Sequence, residues 1–243
     1  MKKLIAIALL GITTTTKAMT ITDNLIVWEC PHCGAKASEA EISSFNTFGA
    51  RFWSDGFRIA PMAPTQDIVS RCWKCKKVFC KWGAKSKIVP GEKVAKEDRR
   101  YVGWVGSYSA VKEVLDESKG MADESLECEL RLRMLWATNH RTREGADDYR
   151  KESDDYRGFA KTLKGEDVAV AEVRENMAKL SASTNLPPWL RAEVLWEMGK
   201  FDAAKKMMDE FAKSNPADFK KGEVYFKEIL ERIQKKDAKV FMR

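Results

Sequence analysis

Histidine is nearly absent, with two residues in a chain of 243. Imidazole acid–base chemistry and a hydrolytic zinc centre, which keeps an open coordination position, therefore have few groups to work with. No glycine-rich phosphate loop and no nucleophile–base set can be found either, so thiol chemistry is the one enzymatic reading left. Long apolar runs are also missing. The run at residues 4–12 is nine residues, well short of the roughly 20 that a membrane-spanning helix needs, and no transmembrane segment is expected.

That short run has another use. Met1-Lys2-Lys3 precedes it, and four threonines, Lys17 and Ala18 follow. This is the basic, apolar and polar order of a secretory signal peptide, with Thr16 and Ala18 at the cleavage positions. Residues 1–18 are read as a signal peptide and the protein as exported, to the periplasm. The alternative is a cytoplasmic protein that starts at Met19. Export would place six cysteines in an oxidising compartment, where they could form three bridges in any of 15 connectivities.

What the chain has in excess is positive charge, unevenly placed. The net charge is +7; residues 1–100 carry 17 Lys/Arg against 9 Asp/Glu, and residues 71–100 alone carry 11 against 3. The remainder is nearly balanced. A basic segment of this kind either solvates a linker or attracts an anionic partner.

The same segment holds the most specific motif. Cys30-Pro31-His32-Cys33-Gly34 and Cys72-Trp73-Lys74-Cys75 are two Cys-x-x-Cys turns, each able to aim two sulfurs at one ion. Together Cys30, Cys33, Cys72 and Cys75 make the ligand set of a closed, structural four-thiolate zinc site. Cys80 is the nearby substitute ligand, and Cys128, far along the chain, is expected to be a buried bystander. Residues 25–28 read as a strand leading into the first turn, and Ile68-Val69 and Val78-Phe79 as strands flanking the second. The expectation is a zinc ribbon, two hairpin arms meeting at one ion. Between the pairs lie 38 residues, a sizeable insertion. In it Ser54-Asp55-Gly56 reads as a turn, with 57–59 as the returning strand; Pro61 and Pro64 keep 60–64 out of a central strand. The aromatics Phe45, Phe48, Phe52, Trp53, Phe57, Trp73, Phe79 and Trp82 either pack a small core or form a base-stacking platform.

The block Cys-Pro-His-Cys-Gly, Asn46-Thr47-Phe48-Gly49-Ala50-Arg51-Phe52-Trp53-Ser54-Asp55-Gly56, Ala60-Pro61-Met62 and the second Cys-x-x-Cys resembles a group of uncharacterised bacterial proteins. These carry an N-terminal zinc-ribbon-like segment and a helical remainder. The resemblance covers about residues 28–76 and implies no activity. Cys-Pro-His-Cys also resembles the active-site tetrapeptide of Dsb-type periplasmic thiol oxidases. That resemblance implies a thiolate at a helix N-terminus, here Cys30 with Cys33 as its partner.

From residue 107 the pattern turns helical. Val111, Val114 and Leu115 mark one helix, ended by Gly120. Leu126, Leu130, Met134 and Ala137 mark a second with an acidic start at Asp123-Glu124, flanked by Arg131, Arg133, Arg141 and Arg143. His140 follows, read as structural or solvated rather than as a ligand or base. Asp147-Asp148-Tyr149-Arg150 recurs as Asp154-Asp155-Tyr156-Arg157, a charged helix face rather than a cation site. Residues 167–180 read as a helix with Val168, Ala171, Met177, Ala178 and Leu180 as its apolar face. Pro187-Pro188 opens the next helix, with Leu190, Val194, Leu195 and Met198, and Gly199 ends it. Phe201, Ala204, Met207, Met208 and Phe211 form its partner, stopped at Asn215-Pro216. Gly199, Phe201, Ala204 and Pro216, with small Ala192, fall at tetratricopeptide-repeat spacing, although Arg191 stands where leucine is usual. A last helix carries Tyr225, Phe226, Ile229, Leu230 and Ile233.

The fold class expected is α+β: a small β zinc-ribbon-like domain at 19–106, then an α-helical hairpin bundle with one tetratricopeptide-like unit at 107–243. The function expected is a non-enzymatic, zinc-stabilised binding or scaffold protein that recognises a protein partner through helix faces. Nucleic-acid binding by the basic, aromatic ribbon is one alternative. Thiol–disulfide exchange by Cys30 and Cys33 is the other.

Overall fold

A computed structural model describes residues 19–45, 50–59, 68–100, 103–104, 107–118, 123–139 and 168–238. The proposed signal peptide, the 60–64 segment, Phe48, His140, Arg141, Arg143 and both Asp-Asp-Tyr-Arg repeats lie outside the described residues.

Mixed α+β architecture is borne out: small antiparallel sheets come first and helices follow. The β-prone run at 25–28 lies inside β1 (Met19–Glu29), which pairs with β2 (Lys36–Phe45) across the first Cys-x-x-Cys turn. Short β5 (Val69–Arg71) and β6 (Val78–Cys80) pair across the second turn. From there the chain returns as β7 (Ser86–Pro90) along the free edge of β1, giving the order β2-β1-β7, and β8 (Gly103–Trp104) adds to β5. Both hairpin arms are thus present. The insertion holds a third small hairpin, β3 (Arg51–Phe52) with β4 (Arg58–Ile59), turned by Ser54-Asp55-Gly56 as the sequence suggests. Gly56 has φ +79°, and a Cβ there would sit 3.7 Å from both Leu190 methyls. The positive φ is what asks for glycine, since a Cβ at that distance would make only ordinary contact with the neighbouring helix.

Seven helices lie among the described residues: α1 (Tyr108–Glu117), α2 (Glu124–Asn139), α3 (Val170–Ala182), α4 (Pro188–Glu197), α5 (Phe201–Ser214), α6 (Pro216–Lys221) and α7 (Glu223–Gln234). Their ends have local causes. The Ser107 hydroxyl accepts the Ala110 amide at 3.3 Å, and Asp123 Oδ1 accepts that of Leu126 at 2.7 Å, each capping a helix start. Pro188 sits in the first turn of α4, where its missing N–H costs nothing. At the other end the Lys200 and Gly199 amides bond back to Leu195 and Trp196.

Helix α2 is the centre of the helical layer because both its faces are buried. Leu130, Met134 and Ala137, part of the stripe the spacing marks, pack with α1 and with Val69 and Val78 of the ribbon. Cys128, Leu132 and Leu135 on the other side pack with Met177, Leu180, Leu190 and Val194. The second face escapes a single-stripe reading. A third cluster joins α4, α5 and α7 through Ala192, Trp196, Ala204, Met208, Phe226 and Ile229. One expectation needs correction: Ala171 and Ala178 are exposed, and the buried stripe of α3 is Asn176, Met177 and Leu180. Asn176 can take that place because its amide is used on both sides. It donates to the Arg131 carbonyl at 3.0 Å and accepts from the Arg131 guanidinium at 3.4 Å.

The hairpin β3–β4 does not face the ribbon core; it wedges among the helices. Phe57 packs between Trp53 and Trp136, with ring centroids at 5.4 and 5.7 Å. Trp136 Nε1 donates to the Asp55 carbonyl at 2.9 Å, and the Tyr225 hydroxyl donates to the Ser54 carbonyl at 2.7 Å. The Asn139 amide donates to Asp55 Oδ2 at 3.0 Å and to Glu197 Oε2 at 2.9 Å.

Candidate metal centre

Each Cys-x-x-Cys turn has the same backbone wiring. In the first, the Gly34 amide donates to the Cys30 carbonyl and the Cys30 amide to Ala35, both at 2.9 Å. In the second, Lys76 donates to Cys72 at 3.0 Å and Cys72 to Lys77 at 2.9 Å. The residue after the second cysteine is left-handed in both, Gly34 at φ +68° and Lys76 at φ +64°. This reversal directs the following N–H at sulfur: Ala35 N–H donates to Cys33 and Lys77 N–H to Cys75. Cys30 receives the amides of His32 and Cys33. The sequence fixes these loops locally, since the strands on either side are paired and the turn between them is closed by two backbone bonds.

The turns meet face to face. The four sulfurs of Cys30, Cys33, Cys72 and Cys75 all lie within 4.8 Å of one another. Across the turns Cys30 stands 3.8 Å from Cys75, and Cys33 3.6 Å from Cys72. A tetrahedron with metal–sulfur bonds of about 2.3 Å has edges of about 3.8 Å, so the spacing suits one tetrahedral ion. A disulfide would need about 2.05 Å, and all six cysteines are free thiols here. Electrostatics point the same way. Burial pushes the Cys30 thiol up to about 12, while the Ala35 amide brings Cys33 down to about 7. Metal ligation takes cysteine as the thiolate, so a divalent cation would offset the burial that raises Cys30. Cys30 and Cys72 are buried, Cys75 is half-buried and Cys33 is exposed. The donor set is therefore closed on one side by Ala37 and Phe79, with Trp28 and Trp73 packed around it.

The remaining candidates separate from this centre. Cys80 packs against the α1–α2 core, and burial raises its thiol. Cys128 is buried between α2 and α3, as expected of a bystander. His32 lies in the first turn but faces the helices: its Nε2 donates to the Val78 carbonyl at 2.9 Å and lies 3.7 Å from Glu117 of α1. The thiol-oxidase geometry is not present around Cys30. Residues 36–45 following the motif are a strand, so among the described residues the motif does not open a helix, and burial disfavours the thiolate which that chemistry requires. Nor do the aromatics form one platform. Trp53, Phe57 and Phe79 are buried, whereas Trp82 is 56% exposed.

The contact that sequence reasoning missed is Asp55, fully buried and bonded to α2. Its turn signal was legible; that the turn is gripped by Trp136, Asn139 and Tyr225, some 80 to 170 residues away, carries no local signature. No helix among the described residues is long and apolar enough to cross a membrane.

Set against known proteins, the chain matches no family model, no curated protein and no solved structure. Function has to be argued from the centre itself.

Proposed function

We propose that this is a zinc-stabilised binding protein without catalytic chemistry, whose ribbon is architecture and whose helices recognise a protein partner. The carrying observation is the cluster of Cys30, Cys33, Cys72 and Cys75, a saturated set of four sulfurs. Zinc held there would have no position left for a substrate or an activated water, and would supply folding energy instead. The ribbon has need of it, since its own buried cluster amounts to Ala37, Phe79 and the cysteines. For the recognition surface we favour the α4–α5 hairpin as a tetratricopeptide-like unit. In support, Ala192 and Ala204 are fully buried, small residues where two helices cross closely.

Two measurements test this. Metal analysis of protein purified from its native compartment should find about one zinc per chain, lost on Cys72→Ser. A metal-free, equally stable chain with bridged cysteines would overturn it. A photocrosslinker at exposed Lys205 on α5 should trap a discrete protein in cells; no product beyond that of the unirradiated control would refute the helical recognition surface. Sequencing of the mature N-terminus in fractionated cells decides export.

A further inference from the structure

The second Cys-x-x-Cys turn is wrapped in cations that have almost no carboxylates to answer them. Arg71, Lys74, Lys76, Lys77, Lys36 and Arg100 are all exposed on or beside it. Their placement is specific. Arg71 Nη1 donates to the Lys76 carbonyl at 2.8 Å, Lys76 Nζ to the Trp73 carbonyl at 2.6 Å, and Trp73 Nε1 to the Lys36 carbonyl at 2.8 Å. The Arg100 guanidinium lies over the Trp73 ring at 4.1 Å, its main chain fixed by the Ser38 amide donating to the Arg100 carbonyl. Against these six stand Asp98, 3.9 Å from Lys36, and Glu29, opposite Lys36 in the β1–β2 register but making no ion pair with it within 4 Å. Among the described residues, Arg71, Lys74, Lys76, Lys77 and Arg100 have no carboxylate partner. The helices handle charge differently. Arg131, Arg133, Lys179, Lys205, Lys227 and Arg232 each meet a carboxylate one turn away.

We infer that this turn is a binding surface for the phosphate backbone of single-stranded nucleic acid. Backbone carbonyls orient Arg71 and Lys76 without neutralising them, so the positive field is held in place and free to meet phosphates. Just beyond β6, Trp82 is 56% exposed in the loop whose Ala84 packs on the metal-centre cluster. It offers a bare ring to a base on the same small domain as the cationic turn. Trp73 is held on the ribbon by its indole bond and by Arg100, so it does not project as an apolar wedge for a bilayer. The surface depends on the ribbon being folded but not on what the helices bind, so it goes beyond the partner recognition proposed above.

The test is fluorescence anisotropy of full-length, zinc-loaded protein with a labelled oligothymidylate. Zinc content and circular dichroism are recorded on every variant, so that a misfolded ribbon is recognised. Four phosphate contacts give a salt slope of about −3, or a roughly 50-fold loss of affinity between about 50 and 200 mM salt. Lys74→Glu with Lys77→Glu should abolish binding at the lower salt, and Trp82→Ala should weaken it at least about 5-fold. Lys205→Glu with Lys206→Glu on α5 should leave it unchanged. Absence of binding at low salt, salt-insensitive binding, or an undiminished charge-reversal variant overturns the inference. So does equal competition by polyglutamate, or binding to phosphatidylserine vesicles in place of the oligonucleotide, since each would assign the surface to another kind of anion.

Discussion

The left-handed residues at Gly34 and Lys76 occupy equivalent places in the two turns, yet one is glycine and the other is not. Opposite substitutions should therefore have opposite signs. An L-residue in the left-handed region costs about 1–2 kcal/mol, and replacing glycine returns about 0.4–1 kcal/mol by restricting the unfolded chain. A Cβ at Gly34 would meet nothing within 4 Å, so no steric term complicates the sum. Gly34→Ala should destabilise the holoprotein by about 1 kcal/mol. Lys76→Gly should stabilise it by slightly less, because it also removes the exposed Lys76–Trp73 bond. In a chain of this length 1 kcal/mol moves the melting temperature by about 2–4 °C. Calorimetry in excess zinc reads both shifts, and zinc competition with a chromophoric chelator shows whether they arise at the metal turns. Equal signs for the two variants would refute the equivalence of the turns, and a neutral Gly34→Ala would refute the strain on which it rests.

Three further outcomes follow from single contacts. Tyr225→Phe removes the hydroxyl that donates to the buried Ser54 carbonyl and should cost about 0.5–1.5 kcal/mol in denaturant unfolding. Ala204→Leu places a larger side chain at a fully buried position and should cost about 1–3 kcal/mol by overpacking; a neutral result would mean the helices cross less closely than described. Glu41 is held below the usual carboxylate range by the Asn24 amide and the Thr22 hydroxyl, at 2.9 and 2.8 Å. A lowered folded pKa stabilises above the unfolded value of about 4.3 and loses that contribution as pH falls through the folded value. Wild type should therefore exceed Glu41→Gln in stability near pH 7, with the gap closing in acid; a gap independent of pH would discard the assignment.

The four-cysteine cluster and most strand and helix positions were legible because their signals are local. A Cys-x-x-Cys turn announces converging sulfurs, the acidic Asp123-Glu124 announces a helix start, and Gly199 announces an end, whereas the Ser107 cap shows only in the structure. What could not be read was which face of an element meets which partner. The spacing of Leu126, Leu130, Met134 and Ala137 marks one face of α2, but Cys128, Leu132 and Leu135 make the opposite face just as buried. The short α6 was missed because Asn215-Pro216 signals a stop; yet proline is equally at home in a first turn, and Pro216 begins the next helix. Of the two readings left open for Trp53 and Phe57, burial in a core is the one found, while their partner Trp136 lies beyond any periodicity.

The metal centre and the helices are coupled through two contacts that the sequence divides between separate domains. Val69 and Val78 leave the second Cys-x-x-Cys turn on either side and end in the core of α1 and α2. His32 leaves the first turn, donates to Val78 and approaches Glu117. Loss of the metal would free both turns, and with them two fully buried valines on which α1 rests. Freely jointed modules would behave otherwise, with helices indifferent to zinc. Hydrogen exchange on chelated protein separates the cases. Amides of α1 and of the first turns of α2 should lose protection together with β5 and β6, while α5 and α7, whose cluster contains no ribbon residue, should keep theirs. Unchanged protection in α1 would show that the helical layer stands alone, and that the ribbon is attached to it without being part of its core.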